Sequence, residues 1–199
     1  MTWAPVSAAQ TCTRWVLTGP PGSGKTHLVQ VWAAETGAQV IDAATLGDQA
    51  IDTIAKSPFV AVEDADRIAG DSATENNLFH LHNLVLADGG HLLITGATPP
   101  ALWPIALPDL ASRLQGCSVV SLNTPDDALL SAVVVKLFSD RQLHVNPKVI
   151  SYVVTRMERS FDAAHAVVNA LDTAALTQKR AITAPMARQV LDNLWPLDP

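Results

Sequence analysis

The sequence has little of what several kinds of site require. Its 199 residues hold two cysteines, Cys12 and Cys117, far apart and in no C-x-x-C pair, and its six histidines do not cluster. A disulfide scaffold and a thiolate metal centre are therefore excluded, and a reducing compartment fits best. Basic residues are also few, 13 against 19 acids for a net charge of −6, with no dense Lys/Arg run. Such a chain lacks the electrostatic footprint for wrapping nucleic acid, so little direct DNA binding is expected, and any contact is local or made through a partner. No apolar run is long enough to span a membrane, and no basic n-region with an apolar stretch follows Met1. A soluble cytoplasmic protein is expected. What is abundant is apolar: 48% of residues are hydrophobic and 16% charged. That suits a well-buried core in one large domain, or a medium domain with a small one, rather than long disordered tails.

The organising stretch is Gly19-Pro20-Pro21-Gly22-Ser23-Gly24-Lys25-Thr26, which matches the P-loop pattern G-x-x-x-x-G-K-[ST] in full. Its glycines let backbone N–H groups turn toward an anion, Lys25 can reach β- and γ-phosphates, and the Thr26 hydroxyl can ligate Mg²⁺. Arg14-Trp15-Val16-Leu17-Thr18 before it reads as a strand and His27 to Glu35 after it as a helix. This is the order the motif needs, because a helix starting at the loop aims its positive dipole end at the phosphates.

Further along, residues 38–42 read as a second strand and 46–56 as a helix stopped by Ser57-Pro58. Phe59-Val60-Ala61-Val62 then runs into Glu63-Asp64, an apolar strand ending in two acids in the manner of a Walker B element. A buried parallel strand delivers its last residues to the sheet edge where the P-loop opens, so an acid there can hold Mg²⁺ or polarise water. Residues 71–87 read as a helix with Leu78, Leu81, Leu84 and Val85 on one face, and His80 and His82 on different sides of it. His91-Leu92-Leu93-Ile94-Thr95 is a buried strand that brings Thr95 beside the two acids. There its hydroxyl either senses a γ-phosphate and orients water, or bonds its own backbone. Residues 107–114 read as a short helix and 117–122 as the last strand. Thr124-Pro125 opens the first of four helices, near 125–140, 147–157, 161–178 and 184–194, the second opened by Asn146-Pro147. The strand pattern stops here, which puts a domain boundary near Asn123, with a base over 1–123 and a lid over 124–199.

Alternating strands and helices with a P-loop, a Walker B strand and a helical tail resemble the AAA+ ATPases. The fold expected is α/β, a P-loop αβα sandwich on a five-stranded parallel sheet, followed by a small C-terminal α-helical lid. More narrowly the chain resembles the DnaA subfamily of bacterial replication initiators and, within it, the Hda regulators. The resemblance rests on the P-loop with His27-Leu28 after it, Val62-Glu63-Asp64-Ala65-Asp66, Leu92 to Gly96 running to Pro99-Pro100, and Leu107-Pro108-Asp109-Leu110-Ala111-Ser112-Arg113-Leu114.

That resemblance implies ATP or ADP with Mg²⁺, bound by Gly19 to Thr26, His27, Thr95 and a lid arginine, with Thr26 and Asp64 toward the metal. Arg159 is the better match to that lid arginine (sensor II), and Arg156 the second. It implies for Arg113 the role of a finger in a neighbouring subunit's nucleotide site, and for Glu63 and Asp64 a catalytic role. The partners it implies are a DnaA initiator and the sliding clamp, with room for a homo-oligomer and none for a membrane. The chain then either hydrolyses ATP or stimulates hydrolysis on the initiator, and so lowers initiation; the alternative is a nucleotide-dependent adaptor without catalysis. The sequence departs from the family at three places. Glu63 stands where initiators usually carry aspartate, Ala97 where an acid is common, and residues 1–13 lack the glutamine-and-leucine clamp motif, to which Gln189–Trp195 has only a distant likeness. No helix-turn-helix domain follows the lid in this sequence, so direct origin recognition is not expected.

Overall fold

A computed structural model describes residues 13–48 and 50–195. Five strands, β1 (Arg14–Thr18), β2 (Gln39–Asp42), β3 (Phe59–Glu63), β4 (His91–Gly96) and β5 (Ser118–Ser121), form one sheet in the order β2-β3-β4-β1-β5. All pairings are parallel, with Val16 opposite Ile94 and Val119, and Ala61 opposite Leu93 and Val40. Parallel strands are covered on both faces, which is why β3 and β4 read as unbroken apolar runs rather than alternating ones. Val60, Ala61, Val62, Leu92 and Ile94 are all essentially inaccessible. β1 lies between β4 and β5, and β4 in turn separates β1 from β3. The strand that feeds the P-loop is thus two places from the strand that carries Glu63 and Asp64.

Helices α1 (Lys25–Thr36), α3 (Ser72–Ala87) and α4 (Pro108–Gln115) accompany the sheet. The helix expected over 46–56 is instead a 3₁₀ segment, Ala43–Asp48, and a single turn, α2 (Ile51–Ile54). Local bonds decide this: Asp42 accepts from the Ala44 N–H at 2.9 Å and its carbonyl from the Thr45 hydroxyl at 2.8 Å. The chain therefore turns tightly from the strand end. Leu46, Ile51 and Ile54 still reach the core, so the apolar spacing is real although one helix does not carry it.

The C-terminal helices are α5 (Asp127–Asp140), α6 (Pro147–Val154), α7 (Phe161–Gln178) and α8 (Ala184–Leu194). α5 starts later than Thr124-Pro125 suggests, because Asp126 is its cap and accepts from the Leu129 N–H at 2.7 Å. Asn146 caps α6 as expected, accepting from the Lys148 N–H at 2.9 Å. α6 ends at Val154 rather than 157, where the Thr155 hydroxyl turns back onto the Ser151 and Tyr152 carbonyls.

Two compact units emerge. In the first, Lys25–Leu122 joins the residues leading up to Pro20; in the second, Pro21–Gly24 group with the residues from Asn123 onward. Each has its own core. Val16, Leu78, Leu81, Ile94 and Leu110 are central in the first, and Leu130, Val134, Val153, Val168 and Leu171 in the second.

Candidate functional site

The carboxyl edge of the sheet gathers the sequence motifs because parallel strands end there together. β1 ends at Thr18, and the Gly19 N–H donates to the Gly96 carbonyl at 3.3 Å, which ties the start of the P-loop to the end of β4. Lys25 opens α1, and its ammonium donates to the Gly19 carbonyl at 2.6 Å and the Pro20 carbonyl at 3.0 Å. The lysine thus curls over the first turn of its own loop. Thr26 and His27 follow on the exposed first turn of α1.

On the other side of β4, Glu63 closes β3 and Asp64 sits in the left-handed region at φ 55°. Such a conformation is costly for a residue with a side chain, and it persists where surrounding bonds impose it. Here they do. The Thr95 hydroxyl accepts the Asp64 N–H at 2.9 Å, the Asp64 carboxylate pairs with Arg67 at 3.1 Å, and Asp66 accepts the Ala97 N–H at 2.9 Å. Thr95 is therefore bonded to the acid strand rather than to its own backbone. Ala97, at a position where an acid is common in the family the sequence resembles, is held through its backbone by an acid from the neighbouring turn. Gly96 is also constrained, since a Cβ there would lie 2.4 Å from the Trp103 ring, whose indole N–H donates to the Thr98 carbonyl at 2.7 Å.

Two buried polar atoms in these motifs have no hydrogen-bond partner among the described residues, Glu63 Oε1 and Ser23 Oγ. Buried orphan oxygens at such positions suit the outer ligands of a hydrated Mg²⁺ and a phosphate. Among the described residues no group of three or more His, Cys, Asp or Glu side chains could hold a metal ion unaided.

In the second unit, Gly22 and Gly24 adopt φ 69° and 91°. The Gly22 carbonyl accepts the Phe161 N–H at 3.1 Å, and a Cβ on Gly22 would come 2.3 Å from the Ser160 Cβ. Ser160 caps α7, so the loop tip rests on that helix start. Arg159, one residue earlier, pairs with Asp127 at 3.0 Å, both side chains being well exposed. Arg156 lies 4.0 Å over the Tyr152 ring and bonds within its own helix end. Of the two lid arginines, Arg159 is thus adjacent to the residues that touch the P-loop tip. Gln189–Trp195 falls on α8 and its end, with Val190 and Leu191 in the lid core. The N-terminal clamp motif considered above concerns residues outside those described, apart from Thr13.

Arg113 is not with these groups. It lies in the last turn of α4, exposed, and opens with Arg14 into a recess of about 460 Å³ at the amino edge of the sheet. Arg14 is the first residue of β1 and the P-loop follows the last. At roughly 3.3 Å per residue the strand separates the two edges by about 13 Å. The structure therefore brings the P-loop, Glu63, Asp64 and Thr95 to one edge and leaves Arg113 on the other.

One contributor was not legible as functional. Glu75 is fully buried in α3, and its carboxylate accepts three backbone N–H groups, from Gly70 (2.7 Å), Ala106 (2.9 Å) and Leu107 (2.7 Å). Burial raises its pKa, but the three donors outweigh it and the net shift is downward. Leu107 is the N-cap residue of α4, so this carboxylate fixes the entry of the Arg113 helix. The signal was an acid in register with Leu78, His82 and Val85 on the buried face.

An all-parallel five-stranded sheet with a P-loop at its carboxyl edge, and a four-helix C-terminal unit, defines the AAA+ fold. Domain III of the replication initiation protein DnaA of Thermotoga maritima is similar at 17% identity over 92% of this chain and 85% of that one, with TM-score 0.81. AMPPCP-bound DnaA from Aquifex aeolicus is similar at 18% identity over 82% of this chain, with TM-score 0.68, and this chain spans 56% of its length. The RuvB Holliday junction branch migration motor of Thermotoga maritima matches at 18% identity over 92% of this chain and 62% of that one, with TM-score 0.69. Residues 130–191 match the Hda lid domain family. The likeness to these structures is one of fold, and the family match is confined to the C-terminal helices. Among the described residues, no helix is long and apolar enough to cross a membrane.

Proposed function

We propose that this protein binds ATP or ADP with Mg²⁺ on its P-loop and acts on an ATP-bound DnaA-type initiator. There Arg113 enters the initiator's nucleotide site, promotes hydrolysis and lowers replication initiation. The observation that carries this reading is the position of Arg113, exposed on the sheet edge opposite its own P-loop. A guanidinium so placed serves a nucleotide held by another subunit, where it stabilises charge developing on the transferred phosphoryl group. Nucleotide binding on this chain's own P-loop is supported by the loop geometry, the orphan oxygens of Glu63 and Ser23, and the AMPPCP carried by the DnaA relative. Lys25 and Thr26 then face the phosphates, Asp64 and Thr26 the metal, and Arg159 the nucleotide from the lid. In this reading the base ends near Asn123, the lid follows, and the sliding clamp is a further partner.

The deciding experiment measures hydrolysis of initiator-bound ATP with and without this protein and DNA-loaded clamp. Stimulation that Arg113→Ala abolishes, with Lys25→Ala losing this protein's own nucleotide, supports the reading. Absence of stimulation despite nucleotide binding assigns the chain to a nucleotide-dependent adaptor.

A further inference from the structure

The first residue of α7, Phe161, meets the phosphate loop at two points. Its backbone N–H donates to the Gly22 carbonyl at 3.1 Å, and two of its ring carbons would lie 3.0 Å from a Cβ placed on Gly24. A helix leaves its first N–H groups without partners of its own, and here the loop supplies one. The direction of that N–H is fixed, because Ser160, only 4% exposed, caps the helix by accepting the Ala163 N–H at 3.0 Å. In a trans peptide the carbonyl and the N–H that follows it point opposite ways. With the Gly22 carbonyl drawn to α7, the Ser23 N–H is therefore turned away from that helix. The Ser23 hydroxyl, itself 4% exposed, has no hydrogen-bond partner among the described residues. Gly22 and Gly24, at φ 69° and 91° on either side of Ser23, give the backbone alternation from which anion-binding concavities of N–H groups are built. A glycine-flanked tip left to itself samples many conformations, so a tie from outside the loop selects this one.

We propose that Phe161 is a positioning residue for phosphate binding: its backbone N–H, aimed by the Ser160 cap, sets the Gly22–Ser23 peptide so that the Ser23 N–H is presented to a bound phosphate. This deepens the nucleotide-binding reading above and rests on it. The group that acts is the main-chain N–H and not the ring, so the side chain at 161 is replaceable while the donor is not. Coupling of this kind is reciprocal. A phosphate that orders the loop tip also holds the Gly22 carbonyl against the Phe161 N–H, and so steadies the start of α7.

Proline isolates that N–H. It is favoured at the first position of a helix, and Ser160, at φ −143° and ψ 154°, already has the extended backbone that a residue before proline needs. Phe161→Pro thus removes the donor without opposing the helix, whereas Phe161→Ala removes the ring and keeps the donor. The two variants and wild type are compared by affinity for fluorescent ATP and ADP analogues and by melting without nucleotide. Affinity in Phe161→Ala is expected to stay within about twofold of wild type, and in Phe161→Pro to fall about threefold to tenfold below it, the worth of one hydrogen bond. Melting of Phe161→Pro should equal or exceed that of Phe161→Ala. In wild type, nucleotide should slow exchange of the Phe161 amide hydrogen about fivefold or more. Equal affinities in the two variants would overturn the proposal, as would an affinity loss in Phe161→Pro that comes with melting below that of Phe161→Ala, which assigns the bond a merely structural role. Exchange at Phe161 that nucleotide leaves unchanged overturns it without any variant. Each of these results leaves the nucleotide-binding reading standing, whereas a wild type that binds neither analogue removes both.

Discussion

The Thr95 hydroxyl accepts the backbone N–H of Asp64 at 2.9 Å, across the pair of strands β4 and β3. One residue on, the Gly96 carbonyl accepts the N–H of Gly19, the first residue of the P-loop. The end of β4 thus couples the acid strand on one side to the phosphate loop on the other. A change at Thr95 is felt at the backbone that sets the Asp64 carboxylate, not only at the hydroxyl itself.

Thr95→Val keeps the shape and removes the acceptor. The Asp64 N–H then loses its partner in a partly buried place, which costs about 1–3 kcal/mol. The expected outcome is a denaturation midpoint lowered by that amount, with weaker Mg²⁺-dependent nucleotide binding than in Thr95→Ser, which restores the bond.

Glu75→Gln replaces a carboxylate that serves three backbone donors with an amide that turns one NH₂ toward them. We expect a loss of about 1–3 kcal/mol and faster amide hydrogen exchange in α4. The acid dependence changes as well. The folded pKa of Glu75 lies below its ordinary 4.5, so its stabilising contribution is present above that value and is lost as pH falls through the depressed folded pKa. The variant lacks this part of the acid slope.

His82 gives the opposite type of group with the same direction of pH effect. Burial, and then the neighbouring Arg14 and Arg113 charges, lower its pKa below 6.5, against a contact with Asn83 that favours the proton. The unfolded chain binds this proton more readily than the folded one, so stability is full above pH 6.5 and falls as pH drops below it toward the folded pKa. In a urea titration from pH 7.5 downward, His82→Leu should flatten the slope that wild type shows just below its unfolded pKa.

Gly22→Ala tests the loop tip. The residue sits at φ 69° and its new methyl would meet the Ser160 Cβ at 2.3 Å. Left-handed backbone costs an L-residue about 1–2 kcal/mol before any clash. Fluorescent-nucleotide affinity is expected to fall by at least about tenfold through displacement of the loop backbone that would bind phosphate. Ser160→Gly in the same background should recover part of it by opening the space, at the cost of the α7 cap.

Much of this protein was determined by its sequence alone. The P-loop is a contiguous motif whose residues do their work within eight positions, and the apolar runs of β3 and β4 can be satisfied only by a sheet buried on both faces. Strand boundaries, the long helices α3 and α7, and the meeting of Glu63, Asp64 and Thr95 at one edge follow from those local patterns and from parallel topology. The single helix expected over 46–56 does not form because apolar spacing reports which residues are buried, while turn chemistry at Asp42 decides how the chain reaches them. Tertiary structure alone decided the rest. Glu75 becomes an anchor only when Gly70, Ala106 and Leu107, up to 32 residues away, bring their N–H groups to it. Arg14 and Arg113, 99 positions apart by subtraction of their numbers, share a recess only because β1 begins where α4 ends. Such contacts depend on how strands and helices are stacked, and no periodicity in a linear sequence encodes that distance.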